Sequence, residues 1–376
     1  MRVTGIEVRT LALPMPGGQR NARRTWTEKA FLFCFVTAED GTVGVGEGWT
    51  SYASTRALAA TIEDDVAPLA LGRDVAALLD GAALNRAVRD ACVMSGRYGI
   101  LAVALSAVEM ALHDLAARAA GLPLWRYLGA ADPRVPVYAS GGLYADGKTP
   151  DDLGAEAAGW VAEGHRMVKV KVGGSPEAED LARVAAVRDA VGPDVAVMVD
   201  AHYTLDHDRA LSLARGLAPL DVLWLEAPIR PDDWRGHDRL AAASPVPLCG
   251  NETLPWRDGF ARLAEAGVRY LMPDLSACGG VAETLAVGRA AQEAGCELTL
   301  HSSSSIVLFL GSLHVAAVSP ATHSVEMHRV HRWFEEFAPA DALAVRDGTL
   351  ALSEAPGIGI DPAKLRAHID AAADAA

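Results

Sequence analysis

The amino-acid sequence predicts an α/β protein, a (β/α)7β barrel with an α+β N-terminal capping domain that the C-terminal tail completes. Three observations predict this fold. Strand-like runs precede a block of helices in residues 1–130, strands and helices alternate regularly in residues 131–330, and the alternation stops in residues 331–376. Eight parallel strands with seven intervening helices close most naturally into a barrel.

The capping domain begins with three strand-like runs that predict a meander. These runs are RVTGIEVRTLAL, AFLFCFVTA and TVGVGEGW, and a hairpin-type turn, EDG, joins the second to the third. Helical patterns follow at about residues 53–65, 75–90 and 99–120. The last of them is rich in alanine and ends at Gly121 with Pro123 just beyond, which is a typical helix C-terminus.

The barrel is predicted from eight short apolar runs separated by helical segments. The runs are VPVYAS, MVKVKV, VAVMVDA, VLWLEAP, VPLCGNE, YLMPDLS, ELTLHS and SVEMH. A doubly wound open sheet is the structural alternative to a TIM-like barrel, but no G-x-G-x-x-G motif opens a βα turn. In the tail, HRWFEEF and VRDGTLAL predict a short strand pair that packs back onto the cap.

Composition excludes several classes of partner. The net charge of −14 argues against nucleic acid and anionic membranes, but not against a small anionic substrate beside a bound cation. The five cysteines are odd in number and lack a C-x-x-C pair, which is typical of a reduced cytosolic chain. The first residues show no signal-peptide pattern, and no uncharged apolar run approaches the roughly 20 residues of a membrane helix. We therefore predict a cytoplasmic protein.

The stretch MVKVKVGG carries two lysines in an otherwise apolar strand. Lys169 and Lys171 are two residues apart, so their side chains point to the same side of the strand. An edge strand with one solvated face is one explanation. The other is that both lysines face the interior of the barrel, and the acids and bases on the other strands favour this second explanation.

Charged or ionisable residues stand at or near the C-terminal end of seven consecutive predicted strands. Active sites of α/β barrels lie at this end, and unpaired buried charges cost several kcal/mol, so packing alone does not explain the pattern. Besides the two lysines, the residues are Asp200, Glu226, Glu252, Asp274, His301 and Glu326.

Three of these carboxylates predict a metal site. Asp200, Glu226 and Glu252 are each 26 residues apart, so they follow three adjacent strands and converge. Oxygen ligands of this kind suit a hard divalent cation, above all Mg²⁺. A single one of them would be explained equally well as the N-cap of a helix.

The remaining residues predict acid–base chemistry. Asp274 and His301 follow neighbouring strands, as expected for an aspartate that orients an imidazole. We expect that a second cation and Mg²⁺ lower the pKa of one lysine, which makes a neutral amine available as a base. A Schiff-base aldolase with Lys171 as nucleophile is a rival, although the three carboxylates speak against it.

The sequence resembles the enolase superfamily, and within it the mandelate racemase-like subgroup, over essentially the whole chain. The motifs that carry the resemblance are ALHDLAARAAGLPLWRYLG, KVKVG, VMVDAH, WLEAP, GNETL, MPDLSACGG, LHSSSS and VEMH. The resemblance implies that the three carboxylates bind one Mg²⁺ per active site. It also implies that Lys171 is a base with Lys169 as its partner, that His301 and Asp274 form a dyad, and that Glu326 is the acid that hydrogen-bonds the substrate carboxylate.

One position departs from the family pattern. His202 stands where many members have Asn, and we expect it to contact substrate or to act as a further acid. Substrate contacts are also predicted for the cap loops at residues 16–30 and 46–54, where Arg20 and Trp26 suit a hydroxylated or dianionic substrate. A solvated surface loop is the alternative for these residues, which include Arg23 and Arg24. His113 and His314 are interpreted as structural.

The resemblance implies abstraction of the α-proton from a small-molecule carboxylate to give an enediolate. Dehydration of a sugar acid to a 2-keto-3-deoxy acid is the first prediction, and racemisation or epimerisation is the alternative. A cycloisomerase would need a lysine where His301 stands, and a non-catalytic binder would need a broken site position. The resemblance also implies a homo-oligomer.

Overall fold

The computed structural model describes residues 1–15, 18–50, 54–94, 98–319 and 321–374. The cap begins with a three-stranded antiparallel sheet in the order β1-β2-β3, which confirms the predicted meander. Its strands are β1 (Val3–Pro14), β2 (Glu28–Ala38) and β3 (Val43–Gly48).

In the described part of the cap, six helices follow the sheet. They are α1 (Thr55–Thr61), which continues through a π-helical turn (Ile62–Val66) into α2 (Ala67–Ala70), then α3 (Val75–Leu79), α4 (Ala83–Ala91), α5 (Ile100–Ala119) and α6 (Leu124–Tyr127). The prediction of one helix over residues 75–90 is wrong. Gly81 and Ala82 have φ values of 51° and 60°, so the chain breaks into α3 and α4 at a left-handed turn.

Helix α5 packs directly on the cap sheet because β3 presents glycines to it, of which Gly44 and Gly46 lie closest to the helix backbone. A Cβ atom on Gly44 would lie 2.1 Å from the carbonyl oxygen of Ala111, and one on Gly46 would lie 2.1 Å from that of Ala107. Helix α5 is long and apolar enough to cross a membrane, contrary to the expectation from its sequence, but 94% of the span is buried inside the protein. We interpret it as a core helix.

The barrel is a closed ring of eight parallel strands, as predicted. β11 pairs with β4 to close the ring. The strands are β4 (Arg134–Ser140), β5 (Met167–Lys171), β6 (Ala196–Asp200), β7 (Val222–Glu226), β8 (Leu248–Gly250), β9 (Tyr270–Leu271), β10 (Glu297–Leu300) and β11 (Thr322–His328).

Seven helices cover the outside of the ring. They are α7 (Pro150–Ala162), α8 (Glu177–Val191), α9 (His207–Leu217), α10 (Trp234–Ala243), α11 (Trp256–Glu265), α12 (Val281–Glu293) and α13 (Ile306–Ala316). Tyr138, Met198, Trp224, Tyr270 and Met272 form a separate buried cluster of side chains from the strands. In β5, Val168 and Val170 belong instead to the large apolar core, which leaves the lysines on the opposite side of the strand.

The tail joins the barrel as well as the cap. β12 (Thr349–Ala351) pairs antiparallel with β4, at the start of that strand, so the prediction that the tail strand packs on the cap is wrong. The helix α14 (Pro362–Asp374) does pack on the cap, where Arg9 of β1 donates to Asp370 at 2.8 Å. The tail therefore connects the base of the barrel to the cap sheet.

Candidate active site

Strand register aligns the first part of the site. Lys171 of β5 is the cross-strand partner of Asp200 on β6, and Asp200 is the partner of Glu226 on β7. Their side chains therefore emerge at one level on the same side of the sheet. Lys169 lies one layer deeper and is completely buried, so both lysines lie inside the barrel and not on a solvated face.

Each lysine forms an ion pair with a predicted metal ligand. Lys171 Nζ lies 2.5 Å from Asp200 Oδ2. Lys169 Nζ lies 2.7 Å from Glu226 Oε1 and 3.0 Å from Glu326 Oε1. The charged forms are stabilised unequally, because burial raises the pKa of Glu226 to about 8 although the ammonium group of Lys169 acts to lower it.

The pairing of Lys171 with Asp200 determines the direction in which the pKa of each group shifts. Burial acts to lower the pKa of Lys171, but the Asp200 carboxylate outweighs it and the pKa is raised. Burial acts to raise the pKa of Asp200, and the ammonium groups of Lys171 and Lys169 outweigh it and lower that pKa. These directions refer to the side chains alone, so the expectation that Mg²⁺ and a second cation lower the pKa of one lysine stays a prediction.

Glu252 and His202 complete the side of the site opposite β5. Glu252 follows β8, and its Oε2 atom is buried without a hydrogen-bond partner. Its Oε1 atom lies 3.8 Å from His202 Nδ1, while the backbone N–H of His202 donates to Asp200 Oδ1 at 2.8 Å. His202 thus stands between two of the predicted metal ligands, with its backbone in the left-handed region at a φ of 45°.

The residues fit a divalent cation in charge and in ligand chemistry. Among the described residues no three Asp, Glu, His or Cys side chains are already grouped as a metal cage. However, five carboxyl groups stand beside only three cationic side chains, an imbalance that a divalent cation would offset. With the unpartnered Glu252 Oε2, the carboxylates that follow β6, β7 and β8 offer the all-oxygen ligand set that Mg²⁺ prefers.

His301 and Asp274 meet on the other side of the barrel. His301 Nδ1 lies 2.6 Å from Asp274 Oδ2, and the other oxygen of Asp274 accepts from the backbone and hydroxyl of Ser276 at 2.8 and 2.5 Å. Burial acts to lower the pKa of His301, but Glu326 and Asp274 outweigh it and raise that pKa to about 9. The Nε2 atom, 3.6 Å from Glu326 Oε2, is the end of the ring left for chemistry.

Glu326 connects the two sides. It is paired with Lys169, and it accepts a hydrogen bond from the backbone N–H of Ser302 at 3.1 Å. Burial acts to raise its pKa, but Lys169 and His301 outweigh burial and lower it below the ordinary range. In this arrangement Glu326 is ionised and accepts hydrogen bonds, whereas the predicted acid would have to donate one.

The structure does not bring Arg20 and Trp26 to this cluster. The Arg20 guanidinium lies over the Tyr144 ring at 4.7 Å, and its Nη1 atom donates to Gly174 O at 3.4 Å. Trp26 is buried beside Met15 and Leu143, with its ring edge-on to His331. Parts of the two predicted specificity loops, residues 16–17 and 51–53, lie outside the described residues.

Three polar residues near the site escaped the sequence reasoning. His328 follows Glu326 by two positions on β11, so the alternation of the strand could have placed both on one face. Its Nδ1 atom accepts hydrogen bonds from the backbone N–H groups of Val330 and His331 at 3.1 Å. Lys29 and Glu47, on cap strands β2 and β3, are buried against the loop after His301, and no local pattern reveals a contact so distant in sequence.

Comparisons with known proteins agree with this geometry. The family model for the mandelate racemase / muconate lactonizing enzyme N-terminal domain matches residues 5–129, and the enolase C-terminal domain-like model matches residues 152–366. The arabinonate dehydratase of Saccharolobus solfataricus is 31% identical over 86% of this chain and 86% of its own length.

Two further relatives carry different activities. The 3,6-anhydro-alpha-L-galactonate cycloisomerase of Streptomyces coelicolor is 33% identical over 86% of this chain and 87% of its own length. The crystal structure of a racemase from Streptomyces coelicolor A3(2) with bound magnesium has a TM-score of 0.87, with 29% identity over 97% of this chain and 98% of that one. The relatives are thus enzymes of several reaction types.

Proposed function

Because this chain belongs to the enolase superfamily as a mandelate racemase-like member, we propose that it is a Mg²⁺-dependent dehydratase of a sugar acid. It removes the α-proton of a hydroxy carboxylate to form an enediolate, and the β-hydroxyl then leaves as water to give a 2-keto-3-deoxy acid. The observation that carries this proposal is the presence of Lys171 and His301 on opposite sides of one group of carboxylates.

The separation of the two groups supports proton transfer at two faces of a substrate. β5 and β10 are three strands apart one way around the ring and five the other way. A planar enediolate held between them would present one face to Lys171 Nζ and the other to His301 Nε2. Removal of a proton on one face and delivery of a proton to a leaving hydroxyl on the other then need no movement of either group.

Asp200, Glu226 and Glu252 would hold the Mg²⁺ ion. When bound, Mg²⁺ supplies positive charge that stabilises the negative charge developing on the substrate carboxylate. The surrounding residues position the substrate. Lys169, buried and charged, adds a fixed positive charge from below, and Glu326 orients both Lys169 and the imidazole of His301.

His301 is suited to the role of general acid. Asp274 binds its Nδ1 atom and therefore holds the ring in one orientation, with the Nε2–H facing the site. A group that is protonated at neutral pH can donate to a leaving hydroxyl without first collecting a proton from water. Lys171 is the proposed base, after the Asp200 carboxylate that now binds its ammonium group has turned to the cation.

Racemisation or epimerisation is the second candidate, and the two-sided arrangement of Lys171 and His301 favours it equally well. In that reaction one group removes the α-proton and the other returns a proton to the opposite face. A cycloisomerase relative at 33% identity adds a third reaction that starts from a similar sugar derivative. A homo-oligomeric state and a cytoplasmic location remain predictions from the sequence.

The test is a panel of mono- and diacid sugars incubated with the protein and Mg²⁺ in D₂O. Exchange of the α-proton is followed by ¹H NMR, and 2-keto acid is measured as its semicarbazone. Keto acid from one sugar acid, lost on treatment with EDTA and in the Lys171→Ala variant, would support the dehydratase. Exchange or epimerisation without keto acid would assign the chain to the racemases, and exchange without Mg²⁺ would contradict both.

A further inference from the structure

Four consecutive serines follow His301, and each is held by a residue outside the run. Two contacts are made by the backbone. The N–H of Ser302 donates to Glu326 at 3.1 Å, and the carbonyl of Ser303 accepts from Lys29 Nζ at 2.9 Å. The segment 302–305 therefore connects the end of β10 to the cap through specific polar contacts.

The other two serines donate to one carboxylate of the cap. Ser304 Oγ donates to Glu47 Oε1 and Ser305 Oγ donates to Glu47 Oε2, each at 2.5 Å. Glu47 is completely buried and comes from strand β3, 257 residues away from Ser304. A buried carboxylate with so many donors is a stable arrangement, whereas the same carboxylate without them would be costly.

Glu47 also binds the helix that starts where the serines end. Its Oε2 atom accepts from the backbone N–H of Leu308 at 3.1 Å, in the first turn of α13. Ser305 is the N-cap of α13, since its hydroxyl accepts from the N–H of Val307 at 3.1 Å. A negative charge is favourable at a helix N-terminus, so Glu47 fixes the loop and the helix together.

The lysine side of the site is supported by the barrel and, from the cap, by Arg20. The loop after β5 is held by the barrel itself, because Gly173 N–H donates to Asp180 Oδ2 at 2.7 Å and Gly174 N–H donates to Tyr144 Oη at 3.0 Å. From the cap, Arg20 exchanges two backbone hydrogen bonds with Tyr144, at 2.9 and 3.0 Å, and its Nη1 atom contacts Gly174 O at 3.4 Å. The cap thus supports the two halves of the site through different residues, and its buried carboxylate Glu47 binds the His301 half.

We propose that Glu47 is a positioning residue for His301, which acts from the cap through the Ser304 and Ser305 hydroxyls and the first turn of α13. The inference rests on the proposed function in one respect, namely that His301 transfers a proton. Loss of the carboxylate would let the loop after His301 relax, so that Nε2 moves away from the reacting atom while Lys171 stays in place.

The test compares the two faces of the site in one protein. Two sugar acids that differ only in configuration at the α-carbon present the proton to Lys171 or to His301, and the Lys171→Ala and His301→Asn variants identify which is which. In Glu47→Gln, exchange on the His301 face is expected to fall about tenfold or more relative to the Lys171 face, since a displacement of about 1 Å costs up to about a hundredfold in rate. Equal losses on both faces, or no loss, would overturn the inference.

A second variant and a control separate positioning from general damage. The double variant Ser304→Ala/Ser305→Ala removes the two donors without changing charge. It should lower the rate of exchange on the His301 face, and it should cause little further loss when combined with Glu47→Gln. Asp114→Asn is the control, because Asp114 is also a buried cap carboxylate and binds Val45 of the same strand, but it has no described contact with the serines. The Asp114→Asn variant should lower the free energy of unfolding and leave the ratio of the exchange rates on the two faces unchanged.

Two other results remain informative. If exchange is seen on the Lys171 face alone, the ratio of keto acid formed to α-proton exchanged reports on proton delivery by His301. This ratio must then fall in Glu47→Gln. If the wild-type protein exchanges neither epimer, the proposed function fails, and amide hydrogen exchange decides the structural part alone. Residues 302–308 should lose protection in Glu47→Gln while residues 167–174 keep it, and unchanged protection of residues 302–308 would overturn the inference.

Discussion

The lysine side and the histidine side of this site are built by different parts of the molecule. On the lysine side the charged groups emerge from paired barrel strands, and Lys171 lies 2.5 Å from the carboxylate of its cross-strand partner Asp200. On the histidine side, His301 lies beyond the end of β10, and the loop that follows it is bound by Lys29 and Glu47 of the cap. Lys171 and His301, the two groups proposed to transfer protons, are therefore supported by different contacts.

This difference predicts which changes affect the whole reaction and which affect half of it. Changes at the carboxylates between the two sides should affect both faces. Changes at Lys29 and Glu47 of the cap, or at the dyad, should act on the His301 face, while changes in the loops after β4 and β5 should act on the Lys171 face. The following predictions are ordered from the largest expected effect to the smallest.

Removal of the metal should abolish proton transfer on both faces. The carboxylates of Asp200, Glu226 and Glu252 lie between Lys171 and His301, so a cation held there serves both. We expect EDTA, or the Glu252→Gln variant, to lower both exchange rates by about a thousandfold or more, because charge stabilisation by a metal is worth several kcal/mol. Mg²⁺ should restore the EDTA-treated protein but not the variant. Survival of exchange on one face would contradict a shared centre.

The Asp274→Asn variant should lower the rate of proton transfer on the His301 face alone. His301 must be protonated to act as an acid, so the wild-type rate of keto acid formation should fall as the pH rises through about 9. Without the Asp274 charge the pKa of His301 is lower, and the fall should begin at a lower pH, with a loss of about tenfold to a hundredfold at neutral pH. A pH profile of the wild type and the Asp274→Asn variant checks this, and exchange on the Lys171 face is the internal control.

The Tyr144→Phe variant should have a small effect, confined to the Lys171 face. The Tyr144 hydroxyl accepts from Gly174 N–H and donates to Asp180 at 2.6 Å, while Asp180 still holds Gly173 in the variant. We expect a loss of about 1 kcal/mol in the free energy of unfolding and a change of no more than a few-fold in rate. A larger loss on the His301 face than on the Lys171 face would contradict the division of the site.

The buried side chain of His314, where the cap contacts the barrel, should make the stability of the protein sensitive to acid. It is buried in α13, where its Nδ1 accepts from the backbone N–H of Trp125 at 3.0 Å, and burial lowers its pKa to about 3. The unfolded chain takes up this proton near pH 6.5 and the folded chain does not, so stability is lost as the pH falls from about 6.5 towards 3.

The expected loss at pH 4 is up to about 3 kcal/mol relative to pH 7. The His314→Gln variant keeps an acceptor for Trp125 and should lack this part of the acid sensitivity. Urea unfolding at pH 7 and pH 4 measures it, with His207→Gln on helix α9 as the control. Equal acid sensitivity of the wild type and His314→Gln would show that another group dominates.

The sequence predicts the parts of the site that depend on local rules. Two lysines at positions i and i+2 of a strand share a face, and acids at the C-terminal ends of parallel strands converge, so strand periodicity is enough to place Lys169, Lys171 and Asp200 inside a barrel. The left-handed turn at Gly81, by contrast, was hidden within a regular helical pattern.

Contacts between distant segments could not be predicted in this way. Glu47 and Ser304 meet because the cap docks on the barrel in one orientation, and no pattern within either segment encodes that orientation. The same is true of Arg20, whose charge suggested a substrate contact but whose guanidinium lies over Tyr144. The position of β12 beside β4 likewise depends on how the tail crosses the base of the barrel.

The most direct test of the two-sided site is α-proton exchange in D₂O from a pair of sugar acids epimeric at the α-carbon, measured with the Lys171→Ala and His301→Asn variants. We predict that each variant loses exchange from one epimer by about 10²- to 10⁴-fold, the range for a general acid or base, and keeps exchange from the other within a few-fold. If either variant loses both exchanges equally, or keeps both, Lys171 and His301 do not serve separate faces of the substrate and the account is wrong.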